Sequence, residues 1–391
     1  MNSIFKRIIT FVITTVFIIT SVIPIYAEEE KNTDMGLVSK SYVLMEETTG
    51  EVLLENNGHE KLPPASVTKV MTLLLIFEAL ESGKIKYDDT VTVSAHAASM
   101  GGSQVFLEEG ETQTVKDMIK CISIASANDA SVAMAEHIGG SEEGFVKMMN
   151  ERAKELGMND TNFVNACGLD ADGHVTSAYD IALMSRQLIS NHPEIKEYTT
   201  TWQDTIIHKT KKGDTEFGLT NTNKLIKQYD KATGLKTGST GNALYCLSGT
   251  AENDNIKLIA VVMAAPNPTT RFNEVVKLFE YGFANYGIEN VGKKGDVVAE
   301  VPIYKGSEST VTGKTSEDIN VLVKKGTESK IETKTEILPS LIAPVNEGDK
   351  IGEVIYMSEG VEKGRCDILA ANSVDKINIG QMMKKLLSLW C

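Results

Sequence analysis

The sequence predicts a mixed α/β domain with an antiparallel sheet, followed by a small all-β module and a short terminal helix. Apolar residues recur at helical spacing between residues 70 and 80. Two apolar strands, over residues 243–250 and 256–264, are joined by a short polar turn and so form an antiparallel hairpin. After about residue 290, helical spacing disappears and short strands alternate with polar turns.

Length and composition limit the class of protein. The chain has 391 residues, 42% of them hydrophobic and 24% charged, which is typical of a soluble globular protein with more than one domain. Its net charge of −14, without a long basic cluster, argues against nucleic-acid binding. No histidine or cysteine cluster has metal-ligand spacing, so we expect no metal and no cofactor. Isolated thiols are favoured over a disulfide framework for Cys121, Cys167, Cys246, Cys366 and Cys391.

The first 27 residues predict an export signal. Lys6 and Arg7 precede an apolar run over residues 8–23, and Ala27 stands before three glutamates. An uncleaved membrane anchor remains an alternative, because the run approaches spanning length. In both cases the rest of the chain lies outside the cytoplasm, at the cell envelope.

The first half of the remaining chain predicts a hairpin and several helices. The hairpin covers residues 40–56, and a short strand lies near residues 90–93. Thr114 and Asp117 have the spacing of a capping box at the start of a helix. Further helices are expected over about 129–139, 145–156 and 178–189, the last preceded by a polar loop at 165–176.

The second half predicts two short strands within residues 204–222, a strand near 234–240, the apolar hairpin and a helix through Phe272 and Phe279. The composition change near residue 290 then marks a boundary. We therefore predict a signal peptide at 1–27, an α/β domain at 28–290, a β module at 291–373 and an amphipathic helix at 374–391.

Ser66 and Lys69 form the first pattern with chemical meaning. Three residues apart where a long apolar helix begins, they share one helix face. A serine hydroxyl needs a base to become a nucleophile, and lysine can act as that base only when neutral. The helix dipole and burial both lower the pKa of a lysine in the first turn. The alternative is an N-cap serine followed by a surface lysine, because this pattern is short and common.

Two further polar groups follow in the sequence. Ser126 and Asn128 lie in a tight connection between two predicted helices, where helix capping is the alternative interpretation. Lys236, Thr237 and Gly238 lie on a predicted strand. The three patterns together, in this order, are far more specific than any one of them.

In these motifs the sequence resembles the penicillin-binding proteins and serine β-lactamases, and among them the low-molecular-weight D-alanyl-D-alanine carboxypeptidases. The resemblance covers nearly the whole chain. It implies a transpeptidase-like α/β domain, an antiparallel sheet flanked by helices, followed by a β-sandwich-like module. The supporting stretches are residues 64–69, 126–129, 168–174, 234–238, 343–352 and the terminal helix.

The resemblance implies a serine-type carboxypeptidase of cell-wall biogenesis. Ser66 attacks the carbonyl between the two terminal D-alanines of a peptidoglycan stem peptide, and Lys69 takes its proton. Lys236 helps to keep Lys69 neutral and attracts the substrate carboxylate. Ser126 relays a proton to the departing D-alanine, while Asn128 binds the peptide amide. β-Lactam antibiotics are expected to react at the same serine.

The same resemblance assigns the remaining substrate contacts. Backbone N–H groups of Ser66 and Ser239 form the oxyanion hole. Thr237, beside Gly238 on the strand, offers its hydroxyl to the terminal carboxylate. Arg271 faces that carboxylate as a planar charge partner. A surface arginine at a helix start is the alternative for Arg271.

The last residues predict an amphipathic helix that lies on a membrane surface without spanning the membrane. A helix docked on the β module is the alternative. Its polar face carries Gln381, Lys384, Lys385 and Ser388, and its apolar face carries Ile379, Met382, Met383, Leu386, Leu387 and Trp390.

Other functions remain open at this point. A class A β-lactamase needs a glutamate that activates water, and Glu155 with Asn159 has the matching spacing. Glu155, however, falls on the polar side of its predicted helix, which favours a solvated residue. A transpeptidase or endopeptidase would use the same acyl-enzyme. A catalytically silent, wall-binding envelope protein would have no need of Lys69 beside Ser66.

Overall fold

The protein is described by a computed structural model. The predicted export signal lies outside the described residues, as do Trp390 and Cys391. The described residues are 35–210, 213–326, 330–339, 341–358 and 360–388, with side chains up to residue 383 in the last range.

Helices and strands follow each other closely along the chain. The helices are α1 Lys69–Glu81, α2 Ala95–Ala98, α3 Val115–Ser123, α4 Asn128–Gly139, α5 Glu142–Glu155, α6 Ala178–Asn191, α7 Ile195–Thr199, α8 Leu225–Gln228, α9 Pro268–Asn285 and α10 Ile379–Ser388, with a 3-10 turn at Ala65–Thr68. The strands are β1 Ser41–Glu46, β2 Val52–Asn56, β3 Thr90–Thr92, β4 Thr112–Thr114, β5 Gln203–Thr210, β6 Gly213–Thr220, β7 Ala232–Thr240, β8 Leu244–Asn253, β9 Ile256–Ala265, β10 Tyr286–Gly292, β11 Val297–Tyr304, β12 Thr310–Thr315, β13 Ile319–Lys324, β14 Ile331–Ile337, β15 Leu341–Ile342, β16 Lys350–Ser358 and β17 Val361–Ala370.

A five-stranded sheet divides the first domain into two layers. Its strand order is β2-β1-β9-β8-β7, and every neighbouring pair is antiparallel. Because side chains alternate along a strand, β9 contributes to a different core on each face. Leu258, Ala260 and Val262 pack with α9, whereas Ile259, Val261 and Met263 pack with the helices that include α1 and α6. The predicted antiparallel sheet flanked by helices is confirmed.

The local signals in the sequence correspond to real elements. The hairpin predicted over residues 40–56 is the β1–β2 pair. Thr114 caps α3, because its Oγ1 accepts a hydrogen bond from the Asp117 backbone N–H at 3.0 Å and donates to Asp117 Oδ2 at 2.7 Å. Helix α1 is more buried than its predicted apolar stripe implies, since every residue from Lys69 to Phe77 is buried. It runs through the centre of the helical layer, in contact with α3, α4 and α6.

The second part of the chain is all β, as predicted. Strands β10 and β13 pair, and a six-stranded sheet has the order β14-β16-β17-β12-β11-β15. Only the short β11–β15 pair is parallel among the described pairs of this sheet. A separate core forms from the inward side chains, among them Val301, Val311, Val321, Ile351 and Ile368.

The chain ends in helix α10. Ile379, Met382 and Met383 on this helix are all exposed, with exposed fractions of 80%, 49% and 60%. Within the described residues, every helix is too short or too polar to span a bilayer. Contact of α10 with a membrane surface stays a prediction.

Candidate active site

Ser66 lies where two segments of chain approach closely. The 3-10 turn that carries it begins at Ala65, whose φ of +50° is unusual for a residue other than glycine. Strand β7 packs directly against this turn. A Cβ atom at Gly238 would lie 2.9 Å from both the Pro64 carbonyl oxygen and the Ser66 nitrogen. Glycine is therefore required at position 238 to bring β7 next to the serine.

Lys69 is fully buried and has three oxygen neighbours. Its Nζ lies 2.9 Å from Ser66 Oγ, 2.7 Å from Asn128 Oδ1 and 2.6 Å from the Cys167 carbonyl oxygen. The two carbonyl oxygens can only accept hydrogen bonds. A neutral amine has two hydrogens, and both are used by these two acceptors. Its lone pair then points to the Ser66 hydroxyl, as a base requires.

Burial is the main cause of the pKa change at both lysines. It lowers the pKa of Lys69 to about 8, against opposing effects of Cys167 and Asp129. For Lys236, burial and then the charges of Lys69 and Arg271 lower the pKa well below its ordinary value. Repulsion between the two ammonium groups is mutual, so the pair loses one proton more readily than an isolated lysine does.

Ser126 and Asn128 do not cap helix α4. Its N-cap is Ala127, without a side-chain hydrogen bond to the helix. Ser126 has a φ of +62°, and its Oγ accepts a hydrogen bond from Lys236 Nζ at 2.7 Å. Asn128 Nδ2 donates to the Gly101 carbonyl oxygen at 2.7 Å, which directs its Oδ1 to Lys69. The capping interpretation is therefore wrong, because both side chains contact the buried lysines.

Thr237 and Ser239 continue along β7 beyond Lys236. The Thr237 side chain is buried, and its Oγ1 lies 2.9 Å from Thr222 Oγ1. Ser239 is exposed at the end of the strand. This edge of the site is therefore formed by β7 together with the turn that contains Thr222.

Arg271 is buried rather than on the surface, so the surface alternative is wrong. Only 8% of the residue is exposed, and it lies in the first turn of α9. Its Nη1 donates hydrogen bonds to the carbonyl oxygens of Gly238 and Cys246, at 3.0 and 3.3 Å. The guanidinium carbon lies 4.8 Å from the Phe272 ring centroid. Its Nε has no hydrogen-bond partner among the described residues.

Three basic side chains, those of Lys69, Lys236 and Arg271, are buried at this site. Within the described residues, none of them has a carboxylate oxygen within 4 Å. Asp129 is buried nearby, but its carboxylate accepts hydrogen bonds from the backbone N–H groups of Val105 and Leu107. Buried cations without partners are costly. The site is therefore suited to binding an anion.

The loop at residues 165–176 contributes contacts that the sequence analysis did not assign. Gly168 has a φ of +87°, and a Cβ there would lie 1.9 Å from the Ala65 carbonyl oxygen. Thr68 Oγ1 donates to the same oxygen and lies 2.8 Å from His174 Nε2. The Val164 N–H donates to His174 Nδ1, so Nε2 carries the ring proton. Burial lowers the pKa of His174 to about 4, which keeps the ring neutral. In the sequence, Gly168 is the residue that could have indicated the close approach of this loop to Ala65.

The chain is similar to known proteins over most of its length. A family model described as D-alanyl-D-alanine carboxypeptidase matches residues 27–267. The chain belongs to this family. A second model, described as the penicillin-binding protein 5 C-terminal domain, matches residues 286–376.

Three known proteins show how far the similarity extends. D-alanyl-D-alanine carboxypeptidase DacF of Bacillus subtilis (strain 168) is 41% identical over 98% of this chain and 99% of its own length. The crystal structure of penicillin binding protein 5 from Haemophilus influenzae is 31% identical, with a TM-score of 0.76, over 87% of this chain and 98% of that one. Penicillin-binding protein D2 from Listeria monocytogenes, solved in an ampicillin-bound form, is 34% identical with a TM-score of 0.54, over 64% and 99%.

Glu155 does not take part in this site. It is the last residue of α5, with 64% of its side chain exposed, and pairs with Arg152 at 2.9 Å. It is thus the solvated residue that the sequence predicts. The requirement of a class A β-lactamase for a glutamate beside the nucleophile is not met by this residue.

Proposed function

We propose that the protein is a serine-type D-Ala-D-Ala carboxypeptidase that removes the terminal D-alanine from peptidoglycan stem pentapeptides. The observation that carries this proposal is the environment of Lys69. Its Nζ is 2.9 Å from Ser66 Oγ. When the amine is neutral, its two hydrogens are donated to two carbonyl oxygens. This arrangement suits a base that activates a serine nucleophile.

In the acylation step, Lys69 Nζ takes the hydroxyl proton while Ser66 Oγ bonds to the carbonyl carbon of the penultimate D-alanine. The backbone N–H groups of Ser66 and Ser239 stabilise the negative charge on the carbonyl oxygen. Ser126 passes its hydroxyl proton to the nitrogen of the terminal D-alanine, and the C–N bond breaks. The proton that Lys69 took from Ser66 then replaces the one that Ser126 gave, so Lys69 is neutral again in the acyl-enzyme. The 2.7 Å contact between Ser126 Oγ and Lys236 Nζ supports this relay.

In the second step, water hydrolyses the acyl-enzyme. Lys69 is again the base, since its Nζ is adjacent to the ester oxygen that Ser66 contributes. The water oxygen bonds to the acyl carbon, the ester bond breaks and Ser66 recovers its hydrogen. The shortened peptide leaves with a new carboxylate.

The free C-terminus of the substrate explains the buried cations. We assign the terminal carboxylate to the region of Lys236, Thr237 and Arg271. Within the part of the chain that the structure describes, Lys236 and Arg271 have no carboxylate oxygen within 4 Å, and a substrate anion would compensate their charges. A peptide without a free carboxylate would bind less well.

The proposed reaction extends to β-lactams. The Listeria relative was solved with ampicillin bound, and this chain has the same family's fold. Attack of Ser66 on the β-lactam carbonyl carbon would open the ring and leave a long-lived acyl-enzyme.

The location of the protein is proposed from its two ends. Residues 1–27 would direct export, residues 28–290 and 291–373 would form the catalytic and β domains, and residues 374–391 would lie on the outer face of the membrane. The exposed apolar side chains Ile379, Met382 and Met383 support the last assignment.

Mass analysis of products from a stem pentapeptide tests the proposed activity. One D-alanine should be released per peptide by the wild type and none by Ser66→Ala. Cross-linked products would instead indicate a transpeptidase, and cleavage restricted to cross-linked dimers an endopeptidase. Rapid turnover of penicillin without peptide cleavage would indicate a β-lactamase. Binding to cell walls without any product would indicate a silent envelope protein.

A further inference from the structure

Thr222 lies at the edge of the proposed carboxylate site and has no role in the mechanism given above. Its Oγ1 is 2.9 Å from Thr237 Oγ1. The two residues are on different segments: Thr237 is on β7, and Thr222 is in the turn between β6 and α8. A side chain in direct contact with a proposed substrate-binding hydroxyl can change how that hydroxyl binds.

The turn that carries Thr222 is firmly held. Asn221 Nδ2 donates hydrogen bonds to the carbonyl oxygens of Thr199 and Thr201, at 3.1 and 2.8 Å. The Thr222 backbone N–H donates to the Ile124 carbonyl oxygen at 3.1 Å. Ile124 is two residues before Ser126. Thr222 is thus fixed relative to β7 and to the Ser126 turn.

The hydrogen count of the two hydroxyls determines what this contact can do. Each threonine hydroxyl has one hydrogen, so only one of the pair can donate to the other. A substrate carboxylate can only accept. If Thr237 donates to the carboxylate, its oxygen must accept from Thr222. A hydroxyl that accepts one hydrogen bond becomes a stronger donor in the next.

We propose that Thr222 is a positioning residue that donates its hydroxyl hydrogen to Thr237 Oγ1 and so directs the Thr237 hydroxyl to the terminal carboxylate of the substrate. The inference rests on the proposed function, because it requires that a carboxylate binds at Thr237. It adds a determinant of carboxypeptidase specificity outside the three sequence motifs.

The test uses two variants at position 222. Thr222→Val keeps the shape but removes the hydroxyl, and Thr222→Ser keeps the hydroxyl. Both are assayed with two thioesters of N-acyl-D-alanine. One has a carboxylate on its thiol leaving group, and the other has a methyl ester in its place. Both thioesters report acylation of Ser66, but only the first reports recognition of the carboxylate.

Thr222→Val should lower kcat/KM for the carboxylate thioester by about three- to tenfold, the range expected for one hydrogen bond. The methyl ester should be hydrolysed at the wild-type rate, and Thr222→Ser should restore the preference. Equal losses with both thioesters would reveal a merely structural role and overturn the proposal, as would an unchanged preference in Thr222→Val.

A double-mutant cycle with Thr237→Val tests whether Thr222 acts through Thr237. In the Thr237→Val background, Thr222→Val should cause no further loss of preference. Additive losses would mean that Thr222 contacts the carboxylate directly, which overturns the positioning role. If Thr237→Val itself leaves the preference unchanged, the proposed carboxylate site is wrong. If Thr237→Val removes it and Thr222→Val does not, only the present inference fails.

Discussion

Lys69 in the catalytic domain and Lys350 in the β module show opposite behaviour. Lys69 is fully buried, its Nζ lies within 2.9 Å of three neutral oxygens, and burial lowers its pKa to about 8. Lys350 at the start of β16 lies 2.7 Å from Asp367 and 2.6 Å from Glu353. Hydrogen bonds to these two carboxylates raise the pKa of Lys350. The same side chain is thus a candidate base in one domain and a fixed surface cation in the other.

The contrast between a buried lysine and a lysine in surface ion pairs indicates where chemistry can occur in this molecule. Surface ion pairs such as those of Lys350 contribute little to stability, since water solvates both partners and competes for them. Buried cations without a carboxylate destabilise the folded protein, and the rest of the core must offset that cost. A protein retains them where a ligand or a reaction needs them.

Ser66→Ala should abolish acylation by a fluorescent penicillin, with a loss of at least about a thousandfold in rate, because it removes the nucleophile. Gel fluorescence after incubation measures this loss. Lys350→Ala is the matched control in the β module and should label like the wild type. Equal labelling of Ser66→Ala and wild type would place the nucleophile elsewhere.

Lys69→Arg should fold but lose acylation by about a hundredfold or more, because a guanidinium is not deprotonated near neutral pH. The penicillin acylation rate is the measurement. Lys350→Arg keeps the charge in the other domain and should retain the full rate. A Lys69→Arg rate above about a tenth of wild type, a loss under roughly 1.4 kcal/mol, would contradict the role of base.

Gly168→Ala should lower the stability of the catalytic domain by about 3 kcal/mol, because the new Cβ would overlap the Ala65 carbonyl oxygen. Calorimetry measures the loss for each variant. Gly348 in the β module is a close control, since its φ of +89° is similar and a Cβ there would meet no atom within 4 Å. Gly348→Ala should cost only about 1 kcal/mol for the left-handed backbone. Similar losses would show that crowding at Gly168 is relieved by movement of the loop.

The acylation rate should rise with pH below the Lys69 pKa of about 8 and level off above it. The sign follows from the lowered pKa: below pH 8 the amine is protonated and has no lone pair for the Ser66 proton. Below that pKa the rate should rise by about tenfold per pH unit. Stopped-flow acylation between about pH 5.5 and 9 measures this dependence. A rate independent of pH across this range would exclude titration of Lys69 as the controlling step.

Deleting residues 379–391 should leave peptide cleavage unchanged, because every residue with a proposed catalytic role lies before residue 272. The same deletion should release the mature protein from anionic vesicles, where each lysine adds about 1 kcal/mol of attraction. Sedimentation with vesicles measures binding. Continued sedimentation would point to the uncleaved N-terminal anchor, and loss of cleavage in a folded protein to a helix docked on the body.

Local sequence patterns were enough to predict most helices and strands and the main chemical groups. The two apolar strands joined by a polar turn and the helical spacing in α1 are local patterns, and they correctly predicted the antiparallel pairing of β8 with β9 and a helix after Ser66. Ser66 and Lys69 are one helical turn apart, so their contact also follows from local geometry. The family resemblance added the roles of Ser126, Asn128 and the β7 residues.

The partners that give these groups their properties could not be predicted from the sequence, because they come from distant parts of the chain. The Cys167 carbonyl oxygen that contacts Lys69 is 98 residues away in the chain, and Ser126 and Lys236 are 110 residues apart. Thr222 is closer in sequence to Thr237, but their contact requires the turn to be held against β7. The lowered pKa of Lys69 likewise depends on burial by segments from the whole domain. Local spacing identifies a candidate base. The burial that lowers its pKa, and so allows a neutral amine with a free lone pair, is a property of the folded chain.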